Sequence, residues 1–362
     1  MTPIISGETM TLPGTVTGFL PAEVDAEFAR IVSELTRRGF LTGGLGAAAL
    51  LGLSACGAGQ PSPDGTGTSA AARVVTTTAG SFTVPAHPER VVCIDYFTAI
   101  FLVELGLTPA GGIDFSWVDG NSMFPDYVAA LKKLPGIGEI TSTDYEKVTA
   151  LRPDLILGPT PGSRYDNSKG AMKTLTAVAP VASVDFGKTG DWRGPLEQTA
   201  ELVNRKAQLE PLIASYRAAV NRVKEAQARV LSSAVVSVVD YSQDGNFALD
   251  LPQSTDGVVL ADLGVRFGRA SVDDGTSTRE ISVERLGELA DSDIILFRAD
   301  ASGTPVNGVE KLVKLQTWKD LPAVRAGHAY PIGWADVCTY RWAEKAIADF
   351  SRILESYGKD QR

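Results

Sequence analysis

From Arg73 onward, short apolar runs alternate with segments whose apolar residues recur at helical spacing. A short apolar run between turn residues is typical of a buried strand, and a period near 3.6 residues is typical of a helix. The alternation therefore predicts an α/β fold in which helices cover sheets. Strands are predicted at residues 91–94, 155–157, 181–184, 235–239, 294–297 and 329–332, and helices at 97–105 and 341–357.

The longest stretch of helix-favouring sequence spans residues 193–229 and has no glycine after Gly194. Its apolar residues between Leu209 and Val230 recur on one helical face. Pro211 predicts a break or a new helix start, because proline has no backbone N–H to donate. We expect this segment to connect two α/β halves, with an N-terminal lobe at 73–192, a connecting helical segment at 193–231 and a C-terminal lobe at 232–362.

Residues 1–55 contain the pattern of an export signal, in which Arg37-Arg38 precedes an apolar run and a small-residue cleavage site. The apolar run, 41–53, has about 13 residues, whereas a membrane-spanning helix needs about 20. We therefore predict a cleaved signal peptide. The arginine pair followed by Phe40-Leu41 resembles a twin-arginine signal, and the alternative is a chance pair before an ordinary secretory signal.

Leu53-Ser54-Ala55-Cys56 resembles a bacterial lipobox, in which the cysteine becomes the lipidated first residue of the mature protein. Residues 56–72 are rich in Gly, Pro, Ser, Thr and Ala and carry one charge, at Asp64. Such a composition is typical of a flexible tether. We expect lipidation of Cys56 to anchor the folded part to the extracytoplasmic face of the cell membrane.

Composition excludes several classes of function. The chain has 362 residues and a formal net charge of −9, and we find no cluster of basic residues that could bind nucleic acid. Two histidines are too few for a histidine-rich metal site, and three cysteines are too few for a disulfide framework. Cys93 and Cys338 lie in different halves of the chain, so we expect two unpaired thiols.

Three motifs resemble ferric-siderophore and cobalamin-binding proteins of ABC importers. Residues 84–92 with 105–109 resemble the opening of these proteins, 151–157 (Leu-Arg-Pro-Asp-Leu-Ile-Leu) match their first-lobe signature, and 318–331 look like their second-lobe ending. The resemblance covers about residues 80–355. It implies a class III periplasmic-binding-protein fold, with two Rossmann-like lobes joined by one long interdomain helix and little closure on the ligand.

The resemblance also implies partners, namely an ABC permease and its ATPase, and a monomeric receptor. Members of the family dock on the permease through one surface glutamate in each lobe, and motif position carries these to Glu146 and Glu284. Each of the two precedes a predicted strand at a similar distance. The alternative is that each acid only favours the N-terminus of its own helix.

Aromatic and arginine side chains follow several of the predicted strands, and ligands of open α/β sheets bind at the carboxyl ends of strands. Aromatic faces can bury an organic ligand, while arginine donates paired hydrogen bonds to oxyanions. A ferric siderophore offers both features and requires neither a direct iron ligand from the protein nor a resident cofactor. The candidate ligand-binding residues are Tyr96, Trp117, Arg164, Tyr165, Trp192, Tyr241, Arg298, Trp334, Tyr340 and Arg341.

Alternatives remain open at this point. A haem or cobalamin receptor of the same family is one, since Tyr96, Tyr165 or Tyr340 could serve as a haem ligand. An enzyme is disfavoured, because the mature domain contains neither Gly-x-Ser-x-Gly nor a phosphate-binding Gly-x-x-x-x-Gly-Lys-Ser/Thr loop. A surface lipoprotein without a transport role is a third. Arginine suits anionic catecholates and carboxylates, but tryptophan and tyrosine also suit hydroxamates, so the siderophore class stays undecided.

Overall fold

The computed structural model describes residues 71–116, 118, 123–139, 141–162, 170–334 and 336–361. The predicted signal peptide, Cys56 and most of the tether lie outside the described residues, as do Trp117, Arg164 and Tyr165. Within these ranges the chain is an α/β protein with two main sheets. None of the helices in these ranges combines the length and the apolar character that a membrane span requires.

The first main sheet lies in the N-terminal half and follows an antiparallel hairpin. The strands of this half are β1 (Ala72–Thr77), β2 (Gly80–Pro85), β3 (Val91–Cys93), β4 (Gly111–Gly112), β5 (Gly138–Glu139), β6 (Ser142–Thr143), β7 (Leu155–Pro159) and β8 (Val181–Val184). The sheet has the order β4-β3-β7-β8 and is parallel throughout, while β1 pairs with β2 and β5 with β6. All carboxyl ends of the first sheet therefore lie at one edge.

The second main sheet lies in the C-terminal half and is mixed. Its strands are β9 (Val235–Gln243), β10 (Asn246–Asp250), β11 (Arg266–Phe267), β12 (Thr278–Ser282), β13 (Ile294–Arg298) and β14 (Ala329–Ile332). The order is β12-β10-β9-β13-β14, with β11 also paired to β9. Strands β9, β13 and β14 are parallel and share one carboxyl edge, whereas β10 and β12 form antiparallel pairs. All six strands predicted from apolar runs are present in the two sheets.

Helices cover both sheets. They are α1 (Tyr96–Glu104), α2 (Pro125–Leu131), α3 (Tyr145–Ala150), α4 (Ala171–Leu175), α5 (Arg193–Leu202), α6 (Lys206–Ala226), α7 (Ala228–Ser233), α8 (Gly257–Asp262), α9 (Val309–Leu312), α10 (Gln316–Lys319), α11 (Pro322–Arg325) and α12 (Tyr340–Asp360), with 3₁₀ helices at Arg269–Ser271 and Val283–Asp291. Helix α1 begins where Asp95, in extended conformation, accepts a hydrogen bond from the Thr98 N–H, and it is followed by Gly106 at φ 71°.

The connecting segment contains three helices rather than an unbroken one. The chain leaves helical conformation between α5 and α6, where Asn204 has φ 55°, a conformation that asparagine tolerates. Pro211 does not mark the break and lies inside α6, which continues for 21 residues. Proline near the start of a long helix removes one backbone hydrogen bond, and packing of the apolar face compensates for that loss.

The buried face of α6 belongs to a core that both sheets share. Leu209, Tyr216, Val220 and Val223 of α6 are buried. They lie in one hydrophobic cluster with residues of β3 and β7 from the first sheet, of β9 and β13 from the second, and of α12. Protein cores are close-packed and deform little, so this shared core resists large rotation of one sheet against the other. Cys93 and Cys338 are buried free thiols, as the sequence predicted.

Candidate ligand-binding site

The loop after β8 links the N-terminal half to the segment that follows β10 in the C-terminal half. The Gly190 N–H donates to the Gln253 carbonyl at 2.8 Å, and Trp192 Nε1 donates to the Thr255 carbonyl at 3.3 Å. A Cβ on Gly190 would lie 2.5 Å from the Thr255 nitrogen and 2.7 Å from the Ser254 carbonyl carbon. Only glycine therefore allows the backbones of the two halves to meet here.

Ion pairs and a hydrogen bond that involve the connecting helices also link the two halves. Arg193 Nη1 lies 2.6 Å from Asp262 Oδ2, and Arg193 Nε lies 2.8 Å from Asp191 Oδ1. The Tyr216 hydroxyl of α6 also donates to Asp262, at 2.6 Å. Hydrogen bonding to Asp191, with further support from Asp262, raises the pKa of Arg193, so its guanidinium stays charged.

A second link joins the start of α12 to the N-terminal half. The Arg341 N–H donates to Glu104 at 3.0 Å, and its guanidinium pairs with Asp126 at 2.9 Å. The guanidinium also lies 5.0 Å from the ring centroids of Phe124 and Tyr127, a cation–π arrangement. Arg341, a predicted ligand-binding residue, is thus already engaged within the protein by Glu104 and Asp126.

The aromatic candidates fall into two groups by exposure. Trp192, Trp334 and Tyr340 are no more than 3% exposed, and the Trp192 and Tyr340 rings meet edge to face at 5.0 Å. All three belong to the core that the two sheets share. Tyr96, the first residue of α1, and Tyr241 of β9 are partly exposed at the ends of their strands. Burial raises the pKa of Tyr241, with a further contribution from Glu280, so its hydroxyl stays protonated.

Arg298 ends β13 between two carboxylates, because its guanidinium pairs with both Asp240 and Asp336. Burial opposes its charge, but these two carboxylates outweigh burial and raise the pKa of Arg298. Asp250 and Asp256 interact electrostatically with Arg298, Asp240 and Asp336. Burial raises the pKa of both, that of Asp256 to about 7. We refer to Asp240, Asp250, Asp256 and Asp336 as the acidic cluster.

The members of the acidic cluster differ in their exposure to solvent. Asp256, 1% exposed, accepts a hydrogen bond from the Val337 N–H at 3.0 Å, whereas the Asp336 side chain is 63% exposed. Within the described ranges, no group of three or more His, Cys, Asp or Glu side chains is arranged to hold a metal ion.

Sequence reasoning missed these acids. Asp240 directly follows the predicted strand 235–239, and Asp336 follows the last strand within four residues. The same rule that selected Arg298, a polar residue after a buried strand, would have selected both.

Asp95 is a further buried acid, and it lies two residues after the end of β3. It is 2% exposed and accepts hydrogen bonds from the Thr98 N–H at 2.9 Å and the Thr98 hydroxyl at 2.5 Å. Burial raises the pKa of Asp95 to about 6, although the Thr98 hydrogen bonds oppose that rise. The folded protein therefore binds a proton here at pH values where the unfolded chain has released it.

Asp95→Asn is expected to flatten the pH dependence of stability. Because the pKa is raised on folding, the contribution of Asp95 is fully present below its unfolded pKa and is lost as pH rises toward neutrality. The rise of the Asp95 pKa from the ordinary value of 3.8 to about 6 corresponds to about 3 kcal/mol between roughly pH 4 and pH 7. Urea unfolding across this range measures how the free energy of unfolding changes with pH, and Asp320→Asn serves as a surface control. An unchanged slope in Asp95→Asn would contradict the assignment.

Residues 91–333 match the family model described as Periplasmic binding protein. Over 294 residues the chain is 25% identical to the probable siderophore-binding lipoprotein YfiY of Bacillus subtilis, covering 78% of this chain and 87% of that protein. It is 26% identical over 274 residues to the achromobactin-binding periplasmic protein of Dickeya dadantii, covering 74% and 86%. A solved structure of the siderophore periplasmic binding protein from the fuscachelin gene cluster of Thermobifida fusca matches with TM-score 0.66 and 25% identity, covering 75% of this chain and 98% of that chain.

Proposed function

Because the chain belongs to the periplasmic binding protein family, we propose that it is the substrate-binding component of an ABC importer and captures a ferric siderophore. The observation that carries the proposal is the match to siderophore-binding relatives over nearly their whole length, 87% for the Bacillus protein. In this proposal the ligand binds between the carboxyl edges of the two sheets, and contacts of Gly190 and Arg341 link the two halves. The protein has no enzymatic role in this proposal, and the iron chelate is cargo rather than cofactor.

The architecture supports capture with little closure. The shared core and the two links hold the sheet edges at a fixed separation, so the site is largely formed before the ligand arrives. Partly exposed Tyr96 and Tyr241 offer ring faces to an organic frame, and the buried tryptophans hold the edges in shape. Trp117, Arg164 and Tyr165 remain predicted ligand-binding residues outside the described ranges.

Delivery to the permease uses Glu146 and Glu284 in this proposal. Both side chains are exposed, and each is the second residue of a helical element that precedes a buried strand, α3 before β7 and the 3₁₀ helix Val283–Asp291 before β13. Equivalent placement in the two halves is what a two-point docking surface requires. The receptor acts as a monomer, anchored outside the cytoplasmic membrane through lipidated Cys56.

Tryptophan fluorescence of the full chain tests the proposed function. Ferric hydroxamate, catecholate and carboxylate chelates, cobalamin and haem are titrated with inner-filter controls. We expect saturable quenching by at least one ferric chelate at sub-micromolar concentration, because Trp192 and Trp334 lie beneath the proposed site. Trp192→Phe should reduce the amplitude, whereas Trp318→Phe should not, since Trp318 packs against Phe297 in the separate second core. Quenching by haem or cobalamin alone would show that the ligand is not a ferric siderophore. The absence of quenching by every ligand would contradict the proposed function.

A further inference from the structure

The guanidinium of Arg298 joins the chain at the carboxyl ends of three adjacent strands. Strands β9, β13 and β14 are parallel neighbours, and Arg298, the last residue of β13, lies level with Ile332, the last residue of β14. Its Nη1 pairs with Asp240 of β9, and its Nη2 pairs with Asp336, four residues after β14. One side chain therefore fixes the chain after β14 against the ends of β9 and β13.

These two ion pairs leave Arg298 little capacity for a ligand. The side chains of Arg298 and Asp240 are 15% and 18% exposed, so this pair is largely shielded from water. The Asp336 side chain, on the other terminal nitrogen, is 63% exposed. Because each terminal nitrogen already has a carboxylate, a ligand oxyanion could form a paired contact with the guanidinium only by displacing Asp336. The contact with Asp336 therefore decides whether Arg298 binds a ligand or holds the chain.

The chain after β14 is held at consecutive residues. Asp336 has φ 62°, a left-handed conformation that is unfavourable for most residues and that aspartate tolerates. The next residue, Val337, is buried, and its N–H donates to Asp256 at 3.0 Å. Four residues further on, Arg341 makes its contacts with the N-terminal half. The Arg298–Asp336 pair thus fixes the start of a segment that continues into a link between the two halves.

Resting on the proposed function, we infer that Arg298 is a positioning residue for chelate capture and acts by holding Asp336 rather than by contacting the chelate. The pair keeps the segment after β14 at the carboxyl end of β13, where ligands of open α/β sheets bind. A receptor whose site is correctly formed for only part of the time binds its ligand more weakly by that fraction. This role differs from the direct contact with an oxyanion that the sequence predicted for Arg298.

Two substitutions break the pair without leaving a buried charge alone. Asp336→Gly removes the exposed carboxylate, and glycine adopts φ 62° freely. Arg298→Lys keeps the positive charge beside Asp240, but a single ammonium lacks the planar fork that holds two carboxylates at once. Asp244→Gly is the matched control, because Asp244 is also exposed, also has positive φ, at 50°, and loses the same charge.

Isothermal titration calorimetry of the full chain with a ferric trihydroxamate, a ferric tricatecholate and ferric citrate measures the effect on the chelate that the wild type binds most tightly. We expect Asp336→Gly and Arg298→Lys each to weaken that binding about tenfold, as for a site correctly formed about a tenth of the time. The double variant should also lose about tenfold rather than a hundredfold, because both substitutions remove the same contact. Asp244→Gly should bind like the wild type.

Asp336→Asn provides the rescue. Asparagine tolerates the same φ and keeps a side-chain oxygen that can accept from Arg298, so this variant should lose clearly less affinity than Asp336→Gly. The urea midpoint of Asp336→Gly should stay at the wild-type value, since the side chain is exposed, which separates positioning from a loss of folding.

Three results would overturn the inference and leave the proposed function intact. Tighter binding by Asp336→Gly would show that the released Arg298 contacts the chelate. A loss in Asp336→Gly without a loss in Arg298→Lys would show that Asp336 contacts the chelate itself. Unchanged affinity in both variants would show that the pair has no part in capture. If the wild type binds none of the three chelates, the proposed function is wrong, and this inference is wrong with it.

Discussion

Gly190→Ala is expected to weaken chelate binding by at least tenfold and to lower the free energy of unfolding by about 3 kcal/mol. A Cβ at this position would lie 2.5 Å from the Thr255 nitrogen, which is backbone and cannot rotate away. Relief requires the two sheet edges to separate, and separation breaks the hydrogen bond from Gly190 to Gln253. The same movement changes the spacing of the proposed site, so stability and affinity fall together.

Gly194→Ala provides the matched control four residues along the chain. Gly194 lies in α5, and a Cβ there meets nothing within 4 Å. Alanine favours a helix over glycine by up to about 1 kcal/mol, so this variant should be as stable as the wild type or slightly more stable. Urea unfolding and chelate titration of both variants decide the matter. If the two variants have equal stability and equal chelate affinity, neither property depends on the close contact at Gly190.

Reversing both proposed docking charges, with Glu146→Arg and Glu284→Arg together, is expected to abolish iron-chelate uptake while leaving chelate affinity unchanged. Both side chains are exposed and lie outside the two links between the sheets, so their replacement leaves the site intact. The family resemblance implies that the two glutamates meet arginines of the permease, so two reversed charges would repel those arginines and cost several kcal/mol at the docking surface. Growth on the chelate as sole iron source measures uptake, and titration of the purified variant measures affinity.

The control for docking reverses two other exposed acids, Glu139→Arg and Glu355→Arg, which change the net charge equally. Growth should be retained in that variant. If the control loses growth as well, total charge rather than docking position controls uptake. If the Glu146 and Glu284 variant grows normally, these glutamates only favour their own helix termini.

Strand positions were predictable because buried parallel strands are short apolar runs, as 155–157 and 294–297 illustrate. The half-exposed hairpins were not predicted, although Asp244-Gly245 between β9 and β10 is a two-residue hairpin turn with both residues at positive φ. Gly358 does not end α12, which continues to Asp360. A Cβ there would lie 3.1 Å from the Val230 side chain, so this glycine allows close packing of α12 against α7.

The candidate site was only partly predictable from sequence. The positions of the strands led to the prediction of Arg298 and Arg341 as ligand-binding residues, but sequence could not reveal that both guanidiniums are paired within the protein. Pairing depends on contacts between residues far apart in the chain, such as Arg341 with Asp126. Aromatic content likewise could not separate partly exposed Tyr241 from buried Trp334, since the two residue types suit a core and a ligand site equally.

The location of bound iron tests the central claim most directly. Crystals of the protein grown with its tightest-binding ferric chelate, measured at the iron absorption edge, give the iron position from anomalous scattering. The account predicts one iron site between the loops that follow β3 and β9, beside Tyr96 and Tyr241. Iron bound away from these loops, or no bound iron, would contradict it.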